Sequence, residues 1–320
     1  FMKLILAPME GLVDVHMRTL LTQDGAFDYC VTEFLRVSDL LLPNKAFYRI
    51  CPEAHNDWKT PSGTPVHLQL LGSNPELMAE NARRGAILGA PVIDVNFGCP
   101  SKTVNHNRGG SVLLQDPEEI YKILSAMRQD MPNHVPLTAK MRLGYEDKSL
   151  AIENAQAIEA AGASELCIHA RTKVEGYKPP AHWEWIAKVK EQVTIPVVAN
   201  GEIWNLDDYQ KCRELSECDN IMLGRGAIAN PDLANLIRQN PLQTNKPKND
   251  WAQRLEDLMW MINITMETGN AKFAADRIKQ WLAYLKLAYP QADILFQEVK
   301  RYKKTEQMLQ KLEEELANLK

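Results

Sequence analysis

A (β/α)8 TIM barrel followed by an all-helical domain is the architecture this chain predicts, and three observations carry it. Eight short β-type runs recur over about 240 residues, each followed by a loop and an amphipathic helical stretch. Most of these runs are continuously apolar, as parallel strands buried on both faces require. From about Asn240 the strand signals stop and only helical patterns follow, so the expected division is residues 2–240 for the barrel and 241–320 for the helical domain.

The strand runs are Leu4–Met9, Tyr29–Phe34, Pro65–Leu71, Val92–Phe97, Leu137–Leu143, Glu165–Arg171, Ile195–Asn200 and Asn220–Gly224. The helices between them are punctuated in ways that the backbone explains. Asp116-Pro117-Glu118-Glu119 offers a capping carboxylate, a proline at the first helical position and acids beside the positive end of the helix dipole. Asn74-Pro75-Glu76 opens a helix in the same manner, and Gly162 supplies a left-handed stop after Ala160-Ala161. A doubly wound sheet is the competing architecture, but it wants a Gly-x-Gly-x-x-Gly turn after the first strand. Pro8-Met9-Glu10-Gly11 stands there instead.

Beyond residue 240, helices are expected over 250–268, 271–288, 291–299 and 303–319. The last carries Lys311-Leu-Glu-Glu-Glu-Leu316, read as a solvated helix with one apolar stripe. Phe1 ahead of Met2 is set aside as a residue left by cloning.

Composition limits the function. Of 320 residues, 45% are hydrophobic and 24% charged, which is ordinary for a soluble globular protein. No apolar run approaches the roughly 18–20 residues that cross a bilayer, so no membrane partner is expected. A formal net charge of −4 argues against bulk nucleic-acid binding while leaving room for a local basic face. The six cysteines form no C-x-x-C pair and no zinc-ligand spacing, so no metal is expected and a reducing cytoplasm is the simplest setting. A monomer is expected. Cys30 and Cys167 sit in apolar runs as core residues.

If the barrel is right, chemistry belongs at the C-terminal ends of its strands. Polar residues and glycines gather at nearly every one: Pro8-Met9-Glu10, Glu33–Arg36, Gln69, Asn96–Cys99, Lys140–Arg142, His169–Arg171, Asn200-Gly201-Glu202 and Gly224-Arg225-Gly226. That many point to a ligand of some size. The last two suit a phosphate, because glycines let the backbone approach and an arginine can hold a phosphate through two parallel hydrogen bonds; tight βα turns are the other use for such glycines. Lys140 alternates into the barrel, where an ammonium needs an anionic or strongly polar partner. A flavin, whose N1–C2=O edge becomes negative on reduction, is one candidate; a nearby carboxylate is the other. Cys99 lies where a buried strand meets a polar stretch, beside Asn96 and Lys102, a setting for a reactive thiol. His169 is read either as a ligand of the site or as a satisfied core histidine.

Taken together, Ala7-Pro-Met-Glu-Gly11, Gln69-Leu-Leu-Gly72, Asn96-Phe-Gly-Cys-Pro-Ser-Lys102, Lys140-Met-Arg-Leu-Gly144, His169-Ala-Arg-Thr172, Ala199-Asn-Gly-Glu-Ile203 and Gly224-Arg-Gly226 resemble the tRNA-dihydrouridine synthases. Those flavoenzymes reduce specific uridines in transfer RNA. The motifs span the barrel in the family's order, and Asn-x-Gly-Cys-Pro is the specific one. Arg36–Thr64 and Arg277-Ile-Lys-Gln-Trp281 are most similar to the bacterial C-type branch, which acts on uridine 16 of the D loop.

The resemblance implies FMN as cofactor and NADPH as reductant. It places FMN against Pro8, Met9, Glu10, Gln69, Lys140, His169, Asn200, Gly201, Glu202, Gly224 and Arg225, with Cys99 as the catalytic acid. A thiol of pKa about 8.5 holds its proton at pH 7 and so can serve as one. The target base must leave the tRNA fold to reach the pocket. Asn96 is expected at its edge, Tyr177 lining its pocket, and Arg171 and Lys102 nearby. Arg36, Arg277, Lys279 and Lys300 are expected to orient the RNA. The segment 103–112 is expected as a loop able to move over the site. Two alternatives share parts of this pattern: an FMN-dependent dehydrogenase of a free pyrimidine, and a non-catalytic RNA-binding protein on an old barrel.

Overall fold

The structure is a computed structural model that describes residues 2–239 and 250–319. Among these, nine parallel strands form one sheet: β1 (Leu4–Leu6), β2 (Tyr29–Val31), β3 (Leu35–Arg36), β4 (Val66–Leu71), β5 (Ile93–Phe97), β6 (Leu137–Gly144), β7 (Leu166–Thr172), β8 (Val197–Asn200) and β9 (Asn220–Leu223). Neighbours run β2-β1-β9-β8-β7-β6-β5-β4-β3, and a β2–β4 pairing closes the circuit. Eight strands make the barrel. The two-residue β3 also pairs with β4, so β2 and β3 act as one interrupted strand along it. The expected TIM barrel is therefore present. The first run is shorter than its apolar pattern suggests: β1 ends at Leu6, two residues before Pro8, which has no N–H for a ladder.

Both faces of the strands are buried, for different reasons. On β6, Leu137, Ala139, Met141 and Leu143 are at most 1% exposed among the outer helices, while Thr138, Lys140 and Arg142 alternate with them into the barrel. The same parity turns Asp94 and Asn96 inward on β5, Gln69 on β4 and His169 and Arg171 on β7. Lower in the barrel, Ile5, Tyr29, Val31, Cys167, Val198 and Met222 form an apolar layer. The His67 ring stacks on Tyr29 at 3.9 Å, and burial pushes its pKa down to about 3.

The helices begin where their caps place them. Asp116 accepts from Glu119 N and Asn74 from Leu77 N, each with proline at the first helical position. Gly162 adopts φ +103 at the end of helix Ala151–Ala160. The stretch between Arg36 and Thr64 holds a helix, Asn44–Ile50, and a 3-10 turn, Pro52–Asn56. Glu53 of that turn receives both Nε and NH2 of the fully buried Arg18, at 2.6 and 2.9 Å. Removing one partner would strand a buried charge, at a cost of about 3–5 kcal/mol.

The chain separates into two compact units, Phe1–Gly224 and Arg225–Lys320. The division expected near residue 240 falls outside the described residues. Within the second unit, helices Trp251–Thr265, Ala274–Leu285, Pro290–Val299 and Thr305–Ala317 follow the expected order. Trp281 is fully buried and donates Nε1 to the Ile228 carbonyl oxygen at 3.1 Å. Arg254 lies between Asp257 (2.9 Å) and Asp232 (3.3 Å). The last helix buries Met308 and Leu312, one turn apart, as a single apolar stripe.

Candidate active site

Cys99 sits two residues beyond β5, in a turn that its own strand organises. Asn96 Oδ1 accepts from Gly98 N (2.9 Å) and Cys99 N (2.8 Å), folding the chain back over the strand end. Asn96 Nδ2 donates to Gln69 Oε1 at 2.9 Å, and Gln69 Nε2 donates to Asp94 Oδ2 at 2.8 Å. Thr138 Oγ1 completes the chain by donating to Asp94 Oδ1 at 2.6 Å. Burial lifts the Asp94 carboxyl to about 6, against the pull of the Gln69 and Thr138 hydrogen bonds.

From the other side, Arg142 holds the same turn. Its guanidinium donates to the carbonyl oxygens of Gly98 (2.8 Å), Thr172 (3.1 Å) and Gly176 (2.7 Å), and lies 5.1 Å from the centre of the Tyr177 ring. Tyr177 is 53% exposed, and its ring is 6.0 Å from that of His169.

The segment expected as a loop is two short helices, Lys102–His106 and Gly110–Gln115. The reason is the Cys99 carbonyl oxygen, which accepts from Asn105 Nδ2 (2.8 Å), Ser111 Oγ (2.9 Å) and Ser111 N (3.2 Å). These bonds tie the segment to the cysteine.

Cys99 is half-buried, whereas Cys30, Cys51, Cys167, Cys212 and Cys218 are all buried. Burial raises its pKa, and the charges of Arg142, Glu10 and Lys140 act on it, which places these groups around one sulfur. Lys140 Nζ donates to Asn200 Oδ1 at 3.3 Å, and Asn200 Nδ2 donates to the Met222 carbonyl oxygen at 3.0 Å. Among the described residues no carboxylate lies within ion-pair distance of that ammonium. Burial lowers its pKa, and the nearby Arg142 lowers it further. Glu10 is pushed up to about 7 by partial desolvation and then by Glu33, whose Oε2 accepts from Gly11 N at 2.6 Å.

Next round the rim, Arg171 is fully buried. It contacts His169 Nε2 at 3.2 Å, donates to the Lys178 carbonyl oxygen at 2.8 Å and pairs with Glu202. Glu202 also accepts from Trp204 Nε1 at 3.0 Å. Gly201 has φ +114, and a Cβ there would stand 2.7 Å from the His169 ring. A Cβ on Gly224 would lie 3.7 Å from Met9 Sδ.

The structure thus gathers Met9, Glu10, Gln69, Asn96, Cys99, Lys140, His169, Arg171, Tyr177, Asn200, Gly201, Glu202 and Gly224 at one barrel end, beside the half-buried Pro8. Arg36 is half-buried at the end of β3, and Lys102 is exposed as the first residue of its helix. Four residues belong to the second unit. Arg225 opens the helix Arg225–Ala229. Arg277 is half-buried; Lys279 is bonded to Asp276 (2.7 Å) and to the Tyr302 carbonyl oxygen (2.8 Å); Lys300 is exposed and bonded to Gln297 (2.6 Å).

Asp94 and Thr138 are absent from the sequence-derived site, and Arg142 and Glu33 entered it only as strand-end polar residues without a role. Parity was the available signal for three of them: Thr138 and Arg142 are two residues either side of Lys140, and Asp94 is two before Asn96. Among the described residues no group of His, Cys, Asp or Glu side chains could hold a metal ion, and no helix is long and apolar enough to cross a membrane.

A parallel barrel whose C-terminal rim presents one accessible thiol, a lysine with no ion-paired carboxylate among the described residues and a directed amide chain defines a barrel enzyme acting on a ligand at that rim. The family model for dihydrouridine synthase matches residues 5–320, and the chain belongs to that family. It is 51% identical over 313 residues to the tRNA-dihydrouridine(16) synthase of Shewanella oneidensis, covering 98% of each chain. Its identity to the protein of that name from Aquipseudomonas alcaligenes is 49% over 311 residues, 97% of this chain and 99% of the other. The Vibrio cholerae protein of that name is 45% identical over 312 residues, 97% and 95% of the two chains.

Among solved structures, a 2-naphthoyl-CoA reductase complex aligns with TM-score 0.57 and 14% identity over 75% of this chain and 50% of that one. Histamine dehydrogenase from Rhizobium sp. 4-9 aligns with TM-score 0.55 and 14% identity over 87% and 49%. At that identity the shared feature is the fold.

Proposed function

We propose that this protein reduces uridine 16 in the D loop of tRNA to 5,6-dihydrouridine, with FMN as its bound flavin and NADPH as the reductant. Cys99 carries the proposal: a half-buried thiol on a hydrogen-bonded turn at the C-terminal end of the barrel strands. The three relatives above bear the name of that reaction.

The residues fit a flavin. Lys140 has an amide oxygen at 3.3 Å and, among the described residues, feels the Asp94 carboxylate without an ion pair to it, so an electron-rich ring edge would complete its surroundings. Gly201 lets the strand end pack against the His169 ring, and Gly224 leaves the backbone bare beside Met9, where a large planar ligand would meet it. Pro8, Met9, Glu10, Gln69, His169, Asn200 and Glu202 would hold it, with Arg225 toward the phosphate. FMN bound there would supply the hydride for C6 of the uracil ring.

The chain's own residues do the rest. Burial keeps the Cys99 thiol protonated at neutral pH, so it can deliver its proton to C5. Asn96 has one amide hydrogen uncommitted among the described residues and would meet the base edge. Tyr177, exposed and braced by Arg142, would line the pocket of an extruded base. Arg36 and Lys102 on the barrel, and Arg277, Lys279 and Lys300 on the helical unit, would meet the phosphate backbone. A tRNA substrate goes with a cytoplasmic site of action. A free-pyrimidine dehydrogenase finds no matching name among these relatives.

The test is a Cys99→Ala variant compared with wild type in two half-reactions. Flavin reduction by NADPH should be unchanged. Flavin reoxidation by unmodified tRNA should fall by about 10²–10⁴, the range for losing a general acid. Equal reoxidation by both proteins would remove Cys99 from the acid role. Faster reoxidation of the wild type by orotate or free uridine than by tRNA would favour the free-pyrimidine alternative.

A further inference from the structure

The side-chain amides of Asn96 and Gln69 beneath Cys99 have one direction, set by their partners. Backbone N–H groups only donate, so the Asn96 atom that meets Gly98 N and Cys99 N must be its oxygen. Its Nδ2 then faces Gln69, so the Gln69 atom at 2.9 Å must be Oε1. Gln69 Nε2 is left against Asp94, at 2.8 Å, where only an acceptor serves. Asp94 is an acceptor, and the Thr138 hydroxyl donates to its second oxygen. Gln69, Asp94 and Thr138 are 0%, 6% and 8% exposed, so water offers little substitute for the bonds among these three, while Asn96 is half-buried.

The two ends of the chain thus demand the same polarity. Main-chain donors set it at the turn, and a carboxylate sets it in the barrel. Asn96 is left with one Nδ2 hydrogen to offer a ligand, and its oxygen already takes two donors. A uracil presents a carbonyl at position 4, which that hydrogen matches. Cytosine presents an amino group there, which would set donor against donor.

We propose that Asp94 is a positioning residue: acting through Gln69, it holds Asn96 as a one-hydrogen donor to the 4-carbonyl of the target uracil and so keeps the base in line with Cys99. This rests on the uridine-reducing function above. Asp94 touches neither base nor thiol; it fixes which atom Gln69 turns toward Asn96.

Three isosteric variants test it: Gln69→Glu, Asp94→Asn and the double variant. Each is loaded with FMN, reduced by NADPH and mixed with unmodified tRNA at pH 8.5. Gln69→Glu sets carboxylate against carboxylate, and flavin reoxidation should slow by about 10²-fold, the scale of a misplaced reactant. Adding Asp94→Asn restores a donor between positions 94 and 69, so the double variant should recover to within about tenfold of wild type. Asp94→Asn alone should be slower than wild type but faster than Gln69→Glu, since the asparagine oxygen can accept from only one of the two donors that Asp94 takes.

A double variant no faster than Gln69→Glu would overturn the proposal, because loss of shape or of a flavin contact at residue 69 is not repaired from residue 94. A Gln69→Glu rate within threefold of wild type would overturn it too. Wild-type flavin that tRNA fails to reoxidise would instead sink the uridine-reducing function itself.

Discussion

Gly110 is packed against Cys99: a Cβ at residue 110 would stand 2.8 Å from the cysteine carbonyl oxygen and 3.1 Å from its Cβ. Gly110 also has φ +67, the left-handed region that side chains disfavour. Both facts require glycine here, and both act on the residue carrying the thiol. Gly110→Ala should destabilise the protein by about 1–2 kcal/mol from backbone conformation alone. It should slow tRNA reduction by a larger factor than the change in stability accounts for. Thermal unfolding and flavin reoxidation on the same preparation measure the two effects. Unchanged turnover would mean that the turn yields without moving the sulfur.

Arg142 joins the cysteine turn to the segment after β7 through three backbone carbonyl oxygens. Arg142→Leu leaves those acceptors without a donor, and the expected loss is on the order of 3 kcal/mol. Arg142→Lys should recover only part of it, since an ammonium lacks the planar fork that reaches three acceptors. Chemical denaturation of the three proteins gives the comparison.

Asp94 links stability to pH. Its carboxyl is raised by burial from an ordinary 3.8 to about 6, so the folded state holds the proton more tightly than the unfolded chain. The stabilisation is complete below about 3.8 and is lost as pH rises through about 6. Its size is up to about 3 kcal/mol for the shift between those values. Asp94→Asn should remove this downward slope between pH 4 and 6.5. Unfolding free energies of wild type and variant across that window provide the check, and parallel curves would refute the assignment.

On the helical unit, Arg277 and Lys300 are proposed to meet phosphates. Replacing either with alanine should weaken tRNA binding and reduce the slope of log affinity against log salt by roughly 0.7–0.9, as loss of one phosphate contact predicts. Titrations at several salt concentrations measure that slope. NADPH-driven flavin reduction in the same variants should be unaltered.

Much of the site was legible because the chemistry at strand ends is written in short motifs. Asn96 through Lys102 marks the thiol turn, and alternation alone turned Lys140, His169 and Arg171 inward. The same alternation passes through Thr138, Arg142 and Asp94, yet nothing local distinguishes a structural inward polar residue from one that touches a ligand. Arg171 shows the difficulty. Its position matches a site residue, but the side chain is fully buried between His169, Glu202 and the Lys178 carbonyl oxygen. Those partners lie up to 31 residues away, beyond the reach of any local pattern. The segment after Lys102 misled for a related reason. Its glycines and polar residues read as a loop, while its helices depend on the Cys99 carbonyl oxygen as an acceptor.

By itself, the sequence determined that there would be a barrel, where its strands lie and which of their ends are polar. Each of those follows from hydrophobic period, capping residues and turn chemistry, all of which act over a few neighbours. Tertiary structure alone decided the direction of the amide chain from Asp94 to Cys99 and the grip of Arg142 on three separated carbonyls. A hydrogen bond has a donor and an acceptor end only once two groups meet, and these groups meet only when the sheet closes.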